Sequence, residues 1–264
     1  AEGYYYDWNP KTPGVTVTLG TDNLEDGDYD VAYSENTNAG EATVTVTGLK
    51  KYTGTLTGHF TIEAKELTEE MFYMEEEVDF IYTGEAQTPE VFGTDGEFGL
   101  EEGTDFDVEY TNNTNVGTAT ITITGKGNYT GTISKTFQIK RQLDVTFNVE
   151  GGWATYYARE NLQVPDGLKA YYVTGVNGTV VSVSELEFIP AGEGVLLQAE
   201  LPSDNYVAVA YEGDAKPAAT NLLRGCAEAT QVNSLTAENN IYVLYDGGFV
   251  KTTSGTIAAG RAYL

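Results

Sequence analysis

Asp107-Val-Glu-Tyr-Thr-Asn-Asn-Thr-Asn-Val-Gly-Thr-Ala-Thr-Ile-Thr-Ile-Thr-Gly125 is the stretch that decides the fold. Ala119, Ile121 and Ile123 fall on one side of an extended chain and Thr120, Thr122 and Thr124 on the other, the period-two pattern of a half-buried strand. Val108 and Tyr110 form a second inward pair. Between them, Asn113-Thr-Asn115 and Gly117 read as a turn, because Asn tolerates positive φ and Gly supplies it freely. Two β-branched runs joined by Asn/Gly punctuation predict antiparallel strands.

The same pattern occurs earlier in the chain. Residues 29–62 align with 106–139 without a gap, and 18 of the 34 positions are identical. Chance does not produce this, so the first half reads as two copies of one β module. Lys11-Thr12-Pro13 and Gln87-Thr88-Pro89 extend the match upstream, as do Leu24 and Gly27 against Leu100 and Gly103. A period near 77 residues is too long for a solenoid unit and suits a small autonomous domain. The second copy has a leading segment, 71–82, where the first has only residues 4–7. The first strand of copy one is therefore expected to be missing or to lie upstream. Within this leader, Leu67, Met71, Met74 and Val78 have helical spacing, whereas Phe72 and Met74, then Val78, Phe80 and Tyr82, alternate. The alternating reading, a strand, is favoured; a helix would make the modules β-grasp-like instead of Ig-like.

From about Asp144 the repeat stops while strand-like runs continue, at 145–149, 153–158, 169–174, 179–183, 194–199, 206–211, 241–245 and 249–253. Asn177-Gly178 and Asp246-Gly247 are type I′ hairpin signals. Residues 222–236 read as a loop with a short helical turn. The expectation is all-β: two tandem small Ig-like (alternatively β-grasp-like) modules at 1–66 and 67–143, then a larger β-sandwich or barrel at 144–264. Residues 140–144 are expected to form a short polar linker.

Composition excludes several functions. Forty acidic residues against fourteen basic ones give a net charge of −26. Such a chain is a poor partner for nucleic acid, which needs Lys/Arg stripes, and for anionic membrane surfaces. One Cys and one His rule out an internal disulfide framework and ordinary zinc sites. The start, AEGYYYDW, has neither the basic nor the apolar region of a signal peptide. No run approaches the ~20 apolar residues of a spanning helix, so direct membrane insertion is not expected. Uniform negative charge instead keeps an exposed multidomain chain soluble.

No catalytic residues emerge. His59 aligns with Thr136 on the polar side of a strand, and no Gly-x-Ser-x-Gly elbow accompanies it. Cys226 reads as a buried thiol. Gly125-Lys126-Gly127 lacks the spacing of a phosphate loop and occupies a turn. Asp26, Asp28 and Asp30 loosely match an Asp-x-Asp-x-Asp calcium pattern without its glycine or terminal glutamate, and are the candidate for a weak Ca²⁺ site; no other cofactor is expected. Aromatic residues are the remaining signal, since Tyr and Trp rings stack on sugar faces. Trp153, Tyr156 and Tyr157 are the candidate ligand-binding residues. Trp153, Thr155 and Tyr157 would share one strand face and Tyr156 the other. Tyr4, Tyr6 and Trp8 form a similar row.

The second copy's pattern, Tyr82-Thr-Gly, Thr88-Pro, Gly103-Thr-Asp-Phe, Asn112-Asn-Thr-Asn, Gly125-Lys-Gly-Asn-Tyr-Thr-Gly-Thr132 and Phe137-x-Ile, resembles the tandem β module of large secreted and surface-anchored bacterial proteins, the MBG or bacterial Ig-like repeats. Copy one departs from it at Asp7-Trp8-Asn9, where copy two has Thr83-Gly84-Glu85. Gly151-Gly-Trp-Ala-Thr-Tyr156, Ile189-Pro-Ala-Gly-Glu-Gly-Val195 and Ser254-Gly-Thr-Ile-Ala-Ala-Gly-Arg-Ala-Tyr-Leu264 resemble, more loosely, C-terminal β domains of surface proteins from gut anaerobes. The resemblance implies an extracellular or bacterial cell-surface location and an adhesive or spacer role, with a host or bacterial surface glycan or protein as partner. It brings no catalytic set. The expected function is a non-enzymatic adhesion or structural protein, with tandem modules as spacer and the C-terminal domain as contact; the alternative is a carbohydrate-binding module of a glycan-capture system.

Overall fold

A computed structural model of the chain describes residues 3–74, 80–147, 151–203, 205–213, 220–235 and 240–264. It is all-β: the helical elements among the described residues are one 3₁₀ turn, Glu69–Met71, and one four-residue α-helix, Val232–Leu235. The chain divides into two compact units. Unit 1 holds residues 1–77, 88–111 and 120–136; unit 2 holds 78–87, 112–119 and 137–264. The strands Gly117–Gly125 and Thr132–Gln142 contribute residues to both.

In unit 1, strands Tyr4–Tyr5, Thr55–Glu63, Gly40–Gly48 and Tyr29–Ser34 lie in that spatial order. The central pairs are antiparallel, and Tyr4–Tyr5 joins parallel to the edge with Tyr4 opposite Ile62. Tyr4–Tyr5 is thus a strand of copy one. Its counterpart in copy two, Phe80–Ile81, pairs parallel with Thr132–Gln142 through Phe80 and Ile139. Ahead of it in copy two, Phe72–Met74 pairs with Val91–Asp95. Among the described residues, the leader of copy two is strand at Phe72–Met74 and Phe80–Ile81, preceded by a 3₁₀ turn at Glu69–Met71. The helical spacing from Leu67 is not used, so the β-grasp alternative loses its helix; Val78 lies outside the described residues.

Aligned residues do the same local work. Tyr33 donates its phenol to the Pro13 carbonyl, and Tyr110 donates to Pro89. Asn36 donates through Nδ2 to the Lys11 carbonyl at 2.9 Å, and Asn113 to that of Gln87 at 2.9 Å. Positive φ falls on Glu35 (54°) and Asn112 (56°), not on the Asn that follows each. Those Asn side chains instead tie the loop to the chain entering the module, which is why the motif needs an amide there.

Unit 2 is built on a four-stranded antiparallel sheet, Trp153–Tyr157, Gly194–Ala199, Leu168–Asn177 and Val180–Leu186 in spatial order. The second strand, Gly-Val-Leu-Leu-Gln-Ala, is apolar almost throughout because both of its faces are covered. Val195, Leu197 and Ala199 face a core with Leu143, Phe147, Tyr156 and Tyr172. Leu196 faces a second cluster with Val173, Leu223 and Ala262. Residues 140–144 are not a polar linker: Thr132–Gln142 continues as strand, pairing with Val207–Ala208, and Leu143 is buried. At the Asp246-Gly247 turn both residues have positive φ, 46° and 74°, as type I′ requires. The other predicted hairpin differs. Asn177 pairs with Val180, so the loop is Gly178-Thr179, with φ 62° at Gly178 only, a type II′ pattern.

Candidate functional site

Among the described residues, two places stand out as candidates, each gathering polar and aromatic side chains from distant parts of the chain. The first is in unit 1, around Asp95, which ends the strand Val91–Asp95 and is 9% exposed. One of its oxygens accepts the Lys65 ammonium at 2.6 Å; the other accepts the Tyr129 phenol at 3.1 Å and the Trp8 indole N–H at 3.2 Å. Burial opposes the charge on Asp95, but these three donors outweigh it and hold the carboxyl below the usual carboxylate range. Burial, with the Asp95 charge behind it, pushes the Tyr129 phenol well above its ordinary value. Trp8, held at φ 70°, stacks on Phe98 with ring centres 4.3 Å apart, and Tyr6 packs edge-on to Tyr129. Asn128 accepts from the Ala39 amide at 2.8 Å and donates to Asn38 at 3.2 Å. Lys65–Glu66 pairs in parallel with Tyr129–Thr130. Residues of copy one (6, 8, 38, 39) are thereby fastened to residues of copy two (95, 98, 128, 129). Of the row Tyr4, Tyr6, Trp8, the last two are committed to this packing, whereas Tyr4 packs on Phe60 within copy one's own sheet.

The second place is a cleft of about 470 Å³ in unit 2. Trp153 and Leu244 give it an apolar wall; Thr252, Ser254, Asp246 and Arg261 give it hydroxyls and charges of both signs. Trp153 also lines a smaller apolar cleft with Val181 and Phe249, and its ring lies 5.5 Å from that of Tyr171. Sequence reasoning reached Trp153 but not Arg261, Asp246, Thr252 or Ser254. The Asp246-Gly247 turn and the segment 254–264 were both visible, as a hairpin and as a motif, but nothing in their spacing brought them to Trp153.

The three aromatic candidates do not make one platform. Tyr156 is 6% exposed and belongs to the core on the opposite side of the sheet. Tyr157 packs against the backbone of Gly225. Thr155, between Trp153 and Tyr157, accepts the Ala262 amide on its hydroxyl at 3.2 Å, and its carbonyl accepts from Arg261 at 3.3 Å. Strands Arg224–Cys226 and Arg261–Tyr263 cover this face, leaving Trp153 at its margin.

Asp26 and Asp28 lie in a turn and Asp30 in the strand that follows; Asp28 accepts from Lys50 at 3.4 Å. Among the described residues no group of three or more Asp, Glu, His or Cys is gathered to hold a metal ion. His59 is exposed, beside Thr43 and Glu41. Cys226 is a buried free thiol. Among the described residues, no helix is long and apolar enough to cross a membrane. No family model, curated protein or solved structure matches the chain.

Proposed function

We propose that this is a non-enzymatic structural and adhesive protein, secreted or displayed at a bacterial surface, in which the two repeats act as a spacer and the C-terminal part makes contact with a surface glycan or protein. The observation that carries this reading is the Asp95 joint. A spacer transmits reach only if neighbouring modules are stiffly joined, and a buried carboxylate with three donors is a stiff joint. The test is backbone NMR relaxation on the whole chain. Amides of 40–62 and those of 91–111 and 120–130, all in unit 1, are expected to report one common tumbling time, and Asp95→Ala to give the two sets separate ones. Independent tumbling in the unsubstituted protein would sink the spacer role.

The Trp153 cleft favours the second reading, a carbohydrate-binding protein. A ring beside hydroxyls, a carboxylate and a guanidinium is the chemistry that receives a sugar: stacking on one face, hydrogen bonds at the edge. Screening the whole chain and its Trp153→Ala variant on a glycan array separates the two. Binding abolished by Trp153→Ala supports the glycan reading, and a blank array leaves a protein as the partner.

A further inference from the structure

Arg261, half-buried in unit 2, has no carboxylate partner among the described residues. Its guanidinium makes one hydrogen bond among them, from Nη1 to the Thr155 carbonyl at 3.3 Å. Arg141 and Arg159 are each paired, with Glu160 at 2.5 Å and Glu228 at 3.1 Å, and Arg224 is exposed to water. Carboxylates are not scarce here, since residues 144–264 carry 14 acidic and 6 basic side chains. A half-buried guanidinium that leaves most of its five donors unused does little for stability.

Those donors border the cleft of about 470 Å³, which Arg261 lines beside Trp153, Thr155, Asp246, Thr252 and Ser254. Trp153 and Thr155 lie two residues apart on one strand, about 7 Å along it, and Arg261 is fastened at Thr155. One sugar ring with its substituent can bridge from indole to guanidinium. Thr155 is 7% exposed; its hydroxyl accepts the Ala262 amide at 3.2 Å and keeps its own proton to donate. Thr252 donates to the Ser254 carbonyl at 2.9 Å and keeps lone pairs to accept.

We propose, resting on the glycan reading of this cleft, that the sugar it receives bears a carboxylate, as hexuronic and sialic acids do, and that Arg261 takes this group while the ring lies on Trp153. A planar guanidinium meets a carboxylate with two parallel charge-assisted bonds, which a neutral sugar hydroxyl cannot accept. The indole wall favours a sugar over an acidic peptide side chain, which offers it no ring face. Asp246, exposed in the turn at the rim, and the acidic composition of residues 144–264 repel additional anionic groups. The ligand therefore carries one acidic sugar among neutral ones, not a run of acidic sugars.

The test is an NMR titration of the whole chain with two matched pairs: xylotriose with and without a glucuronic acid branch, and sialyllactose against lactose. In at least one pair the acidic member is expected to saturate, shifting amides at 153–155, 246–256 and 261, and to bind about tenfold or more tightly than its neutral partner. The pair that responds tells uronic from sialic acid. Arg261→Gln should erase the difference within that pair. Asp246→Asn, which the positive φ of a type I′ turn accepts, should strengthen the acidic sugar and leave the neutral one unchanged, a readout that stands even where Arg261→Gln fails to fold. Equal, Trp153-dependent binding of both members would overturn the carboxylate and leave the glycan reading intact. No saturation by any of these sugars at about 10 mM would overturn both. Triglutamate binding as tightly as the acidic sugar, and lost equally in Arg261→Gln, would overturn the proposal by assigning the cleft to an acidic peptide.

Discussion

Asp95 accepts the phenol of Tyr129 at 3.1 Å in a place where both side chains are almost closed to water. Lys65 and Trp8 complete the arrangement, so one carboxylate satisfies three donors. Asp95→Ala removes the acceptor and leaves those donors buried or half-buried without it. The expected cost is about 2–4 kcal/mol, the range for breaking a buried charged network. Asp95→Asn keeps the shape and one acceptor oxygen and should cost less. Urea unfolding monitored by Trp fluorescence checks both. Equal, negligible losses would mean the joint is held by ring packing alone.

The pH dependence of stability follows from the same groups. Asp95 has a folded pKa below its unfolded value of about 4, so its contribution is complete above about pH 4 and is lost as pH falls through the folded value. Tyr129 is shifted upward, so its contribution is complete below about pH 10 and is lost as pH rises beyond that. In unit 2, burial pushes Tyr156 and Tyr172 up to about 12, Arg141 opposing it at Tyr156 and Glu193 adding to it at Tyr172. Their stabilisation is present below about pH 10 and disappears as pH rises through about 12. Urea midpoints across the pH range should therefore form a plateau with two falling limbs. Asp95→Asn should flatten part of the acid limb, and Tyr156→Phe with Tyr172→Phe part of the alkaline one.

Gly225 is small because Tyr157 lies against it. A Cβ there would sit 1.8 Å from Tyr157 Cδ2, so the ring or the strand would have to shift. Tyr157 is itself tied through its amide to the Gly260 carbonyl at 2.9 Å. Gly225→Ala should destabilise unit 2 by about 1–3 kcal/mol. Adding Tyr157→Ala should recover part of that loss, a non-additivity that a double-mutant cycle measures. Additive losses would mean the strand Arg224–Cys226 simply shifts away.

The alternation that predicted strands reports burial faithfully: Ala119, Ile121 and Ile123 are all fully buried. Periodicity is a local property, so one sequence suffices to read it. The Asp95 joint was not legible for the opposite reason. Its members, at 8, 65, 95 and 129, are scattered along the chain, and each alone reads as an ordinary polar or aromatic residue. Tyr156 shows a related limit. Alternation correctly separated it from Trp153 and Tyr157, but only the two-sided covering of the sheet reveals that its side is core.

Asn36 and Asn113 offer a matched test of whether aligned residues are equivalent. Each donates through Nδ2 at 2.9 Å to the carbonyl 25 or 26 residues earlier, and each carbonyl oxygen accepts at 2.7 Å from the amide of that same partner, Lys11 or Gln87. Both side chains are half-buried. Replacing either by Ala removes one side-chain hydrogen bond and leaves the backbone bond, so each should cost about 1 kcal/mol. The two pairs share no partner, so the double variant should lose about the sum. Amide exchange should quicken at Lys11 in Asn36→Ala and at Gln87 in Asn113→Ala, each without affecting the other. If one substitution is costly and the other silent, the aligned asparagines do different work, and the two copies have diverged where their sequences have not.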